Sequence, residues 1–232
     1  MTAAHSQTVA FLQIGPDLQM AKILARSIRR HNPGTRILQI SDTTSPGLEE
    51  VDEVIRHPRT HANVMLFRMQ CFAQLPTDQP TWFLDTDMIC HRPLAVDGAP
   101  QVAVCLREFN RKQIFNHRFN GMDLSEHAGR TLGAVYPYVG CATRLHQTDF
   151  WARCLRNMEA LPPKFFNWYG DQEALRNIVE SGAYEVHHLP ESLYACLPEH
   201  EGKGPAPYIS HYKGGRKPLM LERAAQDGLL DP

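Results

Sequence analysis

Two aspartates with one residue between them, Asp85 and Asp87, lie within the apolar stretch Thr81–Cys90. The surrounding apolar residues predict a buried strand, and such a strand does not accept two carboxylates unless another charge offsets theirs. Alternate residues of a strand point to the same side, and a bend at Thr86 would bring the two carboxylates closer together. Both could then bind one hard divalent cation. The alternative is an exposed turn after a short strand, because Asp-x-Asp is a common pattern.

A second group of residues capable of chemistry lies in segment 208–218. In a strand, His211 would point to the same face as Ile209, which predicts an inward-facing imidazole. Two glycines among three cations follow; glycine exposes backbone N–H groups, and Arg216 or Lys217 can neutralise phosphate oxygens. The segment is therefore consistent with a diphosphate cradle that lacks a Walker sequence. The commoner outcome for a piece of this kind is a basic surface turn with a packed histidine.

The third feature is an arginine on the wrong face of a helix. Apolar periodicity predicts a helix from about Asn63 to Leu75, and Arg68 falls within its apolar face. A surface helix normally keeps arginine on its polar side. Arg68 therefore either extends past its apolar neighbours to reach water or meets a buried anion, and the sequence leaves both interpretations open.

Composition places these residues in an ordinary globular protein. The chain has 232 residues, of which 43% are hydrophobic, enough for the core of one large domain. Its net charge of -1 supplies no general attraction for nucleic acid or anionic lipid. The six cysteines are scattered without a Cys-x-x-Cys pair, and no apolar run is long enough to cross a bilayer. We therefore expect a cytoplasmic protein of a reducing compartment, either free or peripheral to the membrane.

The elements that position these residues follow an α/β pattern. A strand ending at Gly15, a helix rich in arginine at its end and a strand closed by Asp42 form a predicted βαβ unit, with ligands expected at the carboxyl ends of parallel strands. Further strands and helices follow without repeats or a clear linker. We predict a single α/β domain with a mostly parallel central sheet flanked by helices. Regular periodicity disappears in segment 107–132, which is either a functional loop or a solvated insertion.

Four motifs in this order resemble those of the GT-A glycosyltransferases, and among them the retaining galactosyl- and glucosyltransferases of family 8. They are Arg68, Asp85-Thr86-Asp87, Gly170-Asp171-Gln172-Glu173 and the segment His211–Pro218. The last is the most specific, because glycine, lysine and proline stand three, six and seven residues after the histidine. The resemblance spans most of the chain and implies a GT-A type, Rossmann-like fold.

The resemblance also implies a metal site and a diphosphate site. Asp85, Asp87 and His211 would hold Mn²⁺ or Mg²⁺, which bridges the two phosphates of a nucleotide sugar. Gly214 and Lys217 would contact the diphosphate. A divalent ion together with a lysine stabilises the charge that develops on a leaving diphosphate without donating a proton.

Other residues would surround the rest of the donor. The resemblance places Arg68 beside the donor near the metal, and Asp171 with Gln172 at the transferred sugar. It places Gln13 and Asp42 near the nucleoside. Family resemblance implies retention by displacement on the same face of the sugar; an inverting enzyme would instead need a carboxylate base, for which Asp171 is the first candidate.

Two positions depart from the family pattern. Where the family often has Asn-Ala-Gly on a strand near the sugar, this chain has Tyr138-Val139-Gly140. Glu173 replaces the aspartate that often follows Asp-Gln in the family. Both differences concern recognition of the transferred sugar.

The sequence thus predicts a metal-dependent hexosyltransferase that uses UDP-glucose or UDP-galactose. Its acceptor is unidentified and is a saccharide, a lipid-linked saccharide or a protein. Residues 1–106 would form a nucleotide-binding half and residues 107–232 an acceptor and sugar half, with the acceptor near segment 107–132 or the Pro-rich stretch before Tyr208. One alternative is a nucleotidyltransferase, although only one glycine and no nearby cation follow the first strand. A second alternative is a catalytically silent protein that binds nucleotide sugars on the same fold.

Overall fold

A computed structural model describes residues 7–166 and 168–230, whose centre is a seven-stranded sheet. The strands are β1 (Gln7–Leu12), β2 (Thr35–Asp42), β3 (Glu53–His57), β4 (Thr81–Leu84), β5 (Met88–Cys90), β6 (Val102–Leu106), β7 (Arg118–Phe119), β8 (Met122–Asp123), β9 (Tyr138–Leu145), β10 (Val186–Pro190) and β11 (Ile209–His211). The helices are α1 (Gln19–His31), α2 (Val64–Ala73), α3 (Leu132–Val135), α4 (Phe150–Glu159), α5 (Gly170–Glu180), α6 (Glu191–Tyr194) and α7 (Lys217–Gln226).

The central sheet is mostly parallel. Its strand order is β10-β6-β9-β4-β1-β2-β3, and β9 pairs antiparallel with both β4 and β6 while the other neighbouring pairs are parallel. The predicted βαβ unit is confirmed as β1, α1 and β2. The carboxyl ends of β1, β2, β4 and β6 therefore meet at one edge with the amino end of β9. The prediction of one α/β domain with a mostly parallel sheet is confirmed.

Helices cover both faces of this sheet. On one face, α2 and α4 pack aromatic side chains against β4, where the Phe72 ring lies 4.8 Å from that of Phe83 and 5.5 Å from that of Trp151. On the other face, α1 places Leu24 and Ile28 in a cluster with the fully buried Trp82. Removal of these apolar side chains from water supplies the main driving force for forming the layers.

The stretch predicted as one strand around the two aspartates is two strands joined by a turn. β4 belongs to the central sheet, whereas β5 leaves it and pairs antiparallel with β11. Asp85 and Asp87 occupy the turn between them. A central strand is buried on both of its faces, which is unfavourable for two charged carboxylates. The chain therefore leaves the sheet at Asp85.

The two halves of the chain share the central sheet. β9, from the second half, lies between β4 and β6 of the first half. Segment 107–132 contains the hairpin of β7 and β8, a short 3-10 turn and the first residue of α3, and it contributes three residues to a separate apolar cluster. The buried members of this cluster are Phe115, Met122, Leu124, Val135, Tyr136 and Phe165. The segment is therefore more than a solvated insertion.

The last helix, α7, is not among the elements predicted from the sequence. Two signals for it were present: Pro218 in the first turn, where a missing N–H is tolerated, and the buried residues Met220 and Ala224 four positions apart. Those two residues pack with Ile23 of α1 and Tyr212. Among the helices of residues 7–166 and 168–230, none is long and apolar enough to cross a membrane.

Gly170, the first residue of α5, has no room for a side chain. A Cβ at this position would lie 2.6 Å from the Phe165 carbonyl oxygen and 3.1 Å from Met158 Cε. We expect Gly170→Ala to lower the free energy of unfolding by about 1–3 kcal/mol, because backbone must shift to relieve the overlap. Urea unfolding followed by tryptophan fluorescence measures this change. Gly204→Ala is the control, because no atom lies within 4 Å of its Cβ position; an equal loss in both variants would contradict the prediction.

Candidate active site

The turn after β4 and the last strand bring together three side chains that could hold a metal ion. Asp85 follows β4 directly, and its backbone N–H donates to the Cys141 carbonyl of β9 over 3.0 Å. In the small sheet, His211 pairs with Met88, and the Tyr212 N–H donates to the Asp87 carbonyl over 2.8 Å. This register sets His211 beside the two aspartates.

One potential ligand atom from each of Asp85, Asp87 and His211 lies within 4.8 Å of the other two. His211 Nε2 is 3.2 Å from Asp87 Oδ1 and 4.0 Å from Asp85 Oδ2. The imidazole is buried, whereas both carboxylates keep some exposure. Two carboxylates and an imidazole suit Mn²⁺ or another divalent ion that accepts oxygen and nitrogen ligands. These residues therefore fit the predicted metal.

The pKa values of the three groups differ because their surroundings differ. Burial raises the pKa of Asp85 to about 6, despite the Arg68 guanidinium beside it. Burial also acts to raise the pKa of Asp87, but its hydrogen bond with His211 and the charges of His211 and Lys217 hold that pKa below its ordinary value. Burial by itself lowers the pKa of His211, whereas the Cys141 thiol and the Asp87 carboxylate raise it above its ordinary value. The cluster thus holds opposite charges in close contact.

Arg68 forms ion pairs with two carboxylates. Of the two interpretations of its place on the apolar helix face, contact with a buried anion is therefore the correct one. Arg68 Nη1–H donates to Asp85 Oδ1 over 2.7 Å, and its Nη2–H donates to Asp171 Oδ2 over 2.9 Å. The Arg68 side chain is only 10% exposed. A Cβ on Gly140 would lie 3.6 Å from Arg68 Nη2, so β9 passes close to the guanidinium. Arg68 therefore joins the metal cluster to the start of α5.

Asp171 and Gln172 are held at the amino end of α5. The second Asp171 oxygen, Oδ1, accepts a hydrogen bond from the Gln172 N–H over 2.9 Å, as expected for an acid in a first helical turn. Gln172 Oε1 accepts from Arg107 Nη2 over 2.8 Å, while Arg107 Nε donates to the Tyr136 carbonyl. Both predicted sugar-facing residues therefore have fixed orientations.

A cleft of about 270 Å³ connects these groups. Asp85, Asp171, Gln172, Arg68 and His211 all line it, so the cleft contains two of the three predicted metal ligands and both predicted sugar-facing residues. The cleft lies at the carboxyl edge of the parallel strands, where ligands of open α/β sheets bind. Its walls carry both signs of charge in a partly enclosed space.

Gly214 and Lys217 lie just beyond His211, where the chain turns into α7. Gly214 has φ +66°, a conformation that favours glycine, and α7 begins without a side-chain cap. Lys217 is exposed, and among residues 7–166 and 168–230 no acidic side chain pairs with its ammonium group. A free lysine and an uncapped helix start are suited to phosphate oxygens.

Gln13 and Asp42 lie at the adjacent carboxyl ends of β1 and β2, and their side chains bond within their own loops. Gln13 Nε2 donates to the Asp17 carbonyl over 2.8 Å. Asp42 Oδ1 accepts from the N–H groups of Thr44 and Ser45. Although partial burial acts in the opposite direction, these hydrogen bonds lower the pKa of Asp42 to about 2. Both residues shape the edge of the sheet where a nucleoside is expected, and their contact with one stays a prediction.

Comparisons with known proteins add no assignment. No family model matches this chain, and no curated protein matches it. The function therefore has to be argued from the geometry and chemistry of the site.

Among the cleft residues that were not predicted as site residues, three have a charged or thiol side chain: Arg107, Cys141 and Lys213. Arg107 follows β6 directly, so its place at the carboxyl end of a strand was a usable signal. Lys213 Nζ lies 3.3 Å from Oε1 of Glu191, a fully buried carboxylate that also accepts backbone N–H bonds from segment 107–132. Such a pairing depends on tertiary contacts alone. It ties the C-terminal segment to the start of that loop.

The double ion pair of Arg68 predicts a large effect of its removal. Arg68→Met leaves Asp85 and Asp171 without their shared partner. Breaking a buried pair costs about 3–5 kcal/mol. Because Asp85 keeps some exposure, we expect a smaller loss of about 2–4 kcal/mol in the free energy of unfolding. Arg36→Met is the matched control, since Arg36 and Glu53 form a pair with side chains 42% and 47% exposed and such pairs contribute about 0–1 kcal/mol. Equal losses in chemical unfolding would contradict the assigned role of Arg68.

The lowered pKa of Asp42 predicts a pH-dependent contribution to stability. Because the folded-state pKa of about 2 lies below the unfolded value of about 4, the contribution is complete above pH 4 and is lost as the pH falls toward 2. Asp42→Ala should therefore destabilise the protein more at pH 6 than at pH 3, as measured by urea unfolding at each pH. Asp78→Ala, an exposed loop aspartate, is the control. A deficit of Asp42→Ala that is independent of pH would contradict the prediction.

Proposed function

We propose that this chain is a metal-dependent glycosyltransferase of GT-A type, similar to the retaining enzymes of family 8. It transfers a hexose from a nucleotide sugar, UDP-glucose or UDP-galactose, to an acceptor hydroxyl. The observation that carries the proposal is the convergence of Asp85, Asp87 and His211 within 4.8 Å of one another. The two aspartates and the histidine come from distant segments, and Asp85 and His211 share one cleft with Asp171 and Gln172.

The residues around the cluster suit a diphosphate bound through a metal. A bound Mn²⁺ or Mg²⁺ would act as a Lewis acid toward the leaving diphosphate. Lys217 forms no ion pair with an acidic side chain among the described residues, and its charge helps to lower the pKa of Asp87. The uncapped start of α7, which follows Gly214 and Gly215, adds N–H groups with a positive dipole end. Together they would bind the oxygens that gain negative charge.

The contacts of Asp171 favour retention over inversion. One oxygen accepts from Arg68 and the other from the Gln172 N–H, so each oxygen already has a donor within the protein. A carboxylate held in this way can stabilise positive charge on the sugar without serving as the base. Gln172 accepts from Arg107 through Oε1, and among the described residues its Nε2 has no partner. That amide group is the free donor for a sugar hydroxyl.

The loop after β1 argues against the nucleotidyltransferase alternative. Gly15, with φ +93°, donates its N–H to Ser45 Oγ, and the first cation after it, Lys22, lies 3.6 Å from Glu50. A loop that binds a triphosphate would instead aim several N–H groups and a free lysine at the ligand.

Release of UDP during turnover, with no pyrophosphate, would distinguish a glycosyltransferase from a nucleotidyltransferase. Binding of nucleotide sugar without any turnover would identify the catalytically silent alternative.

The metal cluster predicts that UDP binding requires Mn²⁺ and both kinds of ligand. Asp87→Ala and His211→Ala should each weaken Mn²⁺-dependent binding of UDP by more than the roughly 10–100-fold effect known for changes outside the ligand shell. Isothermal titration calorimetry with and without Mn²⁺ measures this. Each variant removes one ligand that the others cannot replace from their positions.

Two exposed residues of the same types provide matched controls. Asp78→Ala and His188→Ala should bind UDP and Mn²⁺ as the unaltered chain does. Unchanged affinity in both Asp87→Ala and His211→Ala would contradict the metal-site assignment.

Lys217→Ala should weaken UDP binding about tenfold or more through loss of a charge-assisted hydrogen bond.

A further inference from the structure

Arg107, the first residue after β6, is a buried cation that no acidic side chain neutralises. It is 6% exposed. Its Nε donates to the Tyr136 carbonyl over 2.7 Å, and its Nη2 donates to Gln172 Oε1 over 2.8 Å. Both acceptors are neutral, and in the part of the chain that the structure describes no carboxylate lies within ion-pair distance of this guanidinium. Because a buried charge without a counter-charge is unfavourable, an anion bound beside Arg107 would stabilise the arrangement.

The other arginine and lysine side chains of the same cleft have such a partner. Arg68 forms ion pairs with two carboxylates. Lys213 Nζ lies 3.3 Å from Oε1 of the fully buried Glu191. Of the arginine and lysine side chains that line the cleft, all within the described ranges, Arg107 alone has no carboxylate beside it. The cleft therefore has one positive charge available for a ligand at the end formed by α5 and segment 107–132.

Three groups in the lining of the cleft are available as hydrogen-bond donors. Arg107 Nη1 has no partner among the described residues, and the same is true of Gln172 Nε2 and the Tyr169 hydroxyl. The two nitrogens can only donate, and the hydroxyl can donate as well. An ionised carboxylate or phosphate group offers several accepting oxygens, and charge-assisted hydrogen bonds to them are stronger than those to a neutral hydroxyl. The free groups therefore suit an anion.

Tyr169 is held near Arg107 by an unfavourable backbone conformation. Its φ of +61° lies in the left-handed region, which non-glycine residues adopt at a cost that is accepted mainly at functional sites. The Tyr169 ring stacks on that of Tyr136 with 5.0 Å between centroids, and the Tyr136 carbonyl holds Arg107. Burial raises the pKa of Tyr169, whereas the charge of Arg107 acts in the opposite direction, so the phenol and the guanidinium interact.

The backbone around Arg107 is also fixed. The Arg107 N–H donates to the Pro137 carbonyl over 2.7 Å. The N–H groups of the next two residues, Glu108 and Phe109, each donate to Glu191 Oε2 over 2.8 Å. The guanidinium is therefore positioned before any ligand arrives, and binding to it does not require a loop to become ordered.

We propose that Arg107, together with the Tyr169 hydroxyl and Gln172 Nε2, binds an ionised carboxylate or phosphate group of the acceptor. The inference rests on the proposed function and gives the acceptor's chemical class. In that function the donor carries its charge on the diphosphate at the metal cluster and the transferred hexose is neutral, so the acceptor is the substrate left to supply the anion. Arg107 also begins segment 107–132, where the sequence-based expectation places the acceptor.

The experiment measures binding by calorimetry to protein loaded with UDP and Mg²⁺. The probes are methyl β-glucuronide, methyl β-glucoside 6-phosphate and the uncharged methyl β-glucoside. We expect at least one anionic probe to bind about tenfold or more tightly than the uncharged one, because hydrogen bonds to charged groups are the stronger ones. Arg107→Gln should remove most of this preference, whereas Arg107→Lys should keep part of it, because lysine retains the charge without the planar fork.

Tyr169→Phe provides a variant that leaves Arg107 and its contacts in place. It removes one donor and keeps the aromatic ring, so the affinity for the favoured anionic probe should fall by a few-fold while that for methyl β-glucoside changes less. Unchanged affinity for the anionic probe in this variant would contradict the role of the hydroxyl.

Arg144→Gln is the matched control. Arg144 is also 6% exposed and without an acidic partner among the described residues. It pairs with Trp82 and Ala103 near the other end of β9, and it is not part of the cleft lining. Loss of the anion preference in Arg144→Gln as large as that in Arg107→Gln would overturn the inference. An unchanged preference in Arg107→Gln, or no preference in the unaltered chain, would overturn it as well.

A second comparison identifies which substrate carries the anion. UDP-glucose and UDP-glucuronic acid should bind the unaltered chain with similar affinity. A preference for UDP-glucuronic acid that Arg107→Gln removes would place the anion on the transferred sugar and overturn the acceptor assignment. UDP binding, measured separately, tests the proposed function: normal UDP binding without an anion preference rejects the anion site alone. An Arg107-dependent preference in protein that does not bind UDP rejects the glycosyltransferase proposal and the acceptor role that rests on it.

Discussion

The contact on which the site depends is the guanidinium of Arg68 between two carboxylates. It joins Asp85, after a central strand, to Asp171, at the start of a helix, over 2.7 and 2.9 Å. None of the three charges would be stable at this depth alone, because each has lost most of its contact with water. Their mutual attraction fixes the distance between the candidate metal ligands and α5. The relative placement of donor and transferred sugar in the proposed reaction follows from that distance.

Around this contact, most charged side chains of the site have a partner within the protein, whereas the ammonium group of Lys217 has no acidic one among the described residues. Arg107 holds Gln172, and Glu191 holds Lys213, so these side chains are oriented before any ligand arrives. Preorganised donors of this kind stabilise developing charge without reorganising during a reaction. Two clefts share Asp171 and Gln172 as lining residues at the start of α5.

Hydrophobic periodicity was sufficient to predict the α/β layers, because each strand and helix buries a face that its own residues define. It could not predict that the chain leaves the sheet between Leu84 and Met88, since apolar residues continue on both sides of the aspartates. It also missed α7, whose buried residues Met220 and Ala224 form only a short apolar stripe. The hairpin in segment 107–132 has strands of two residues each, too short for a periodic signal.

The sequence by itself determined which groups can bind a metal, which can bind phosphate, and that an arginine lies on an apolar helix face. These are properties of residue type and local spacing. Only the tertiary structure decided that Arg68 meets Asp85 and Asp171 rather than water, and that His211 lies 3.2 Å from Asp87. Those contacts depend on strand register and on the packing of α2 against α5. Both are set by the whole core, and local sequence carries little information about either.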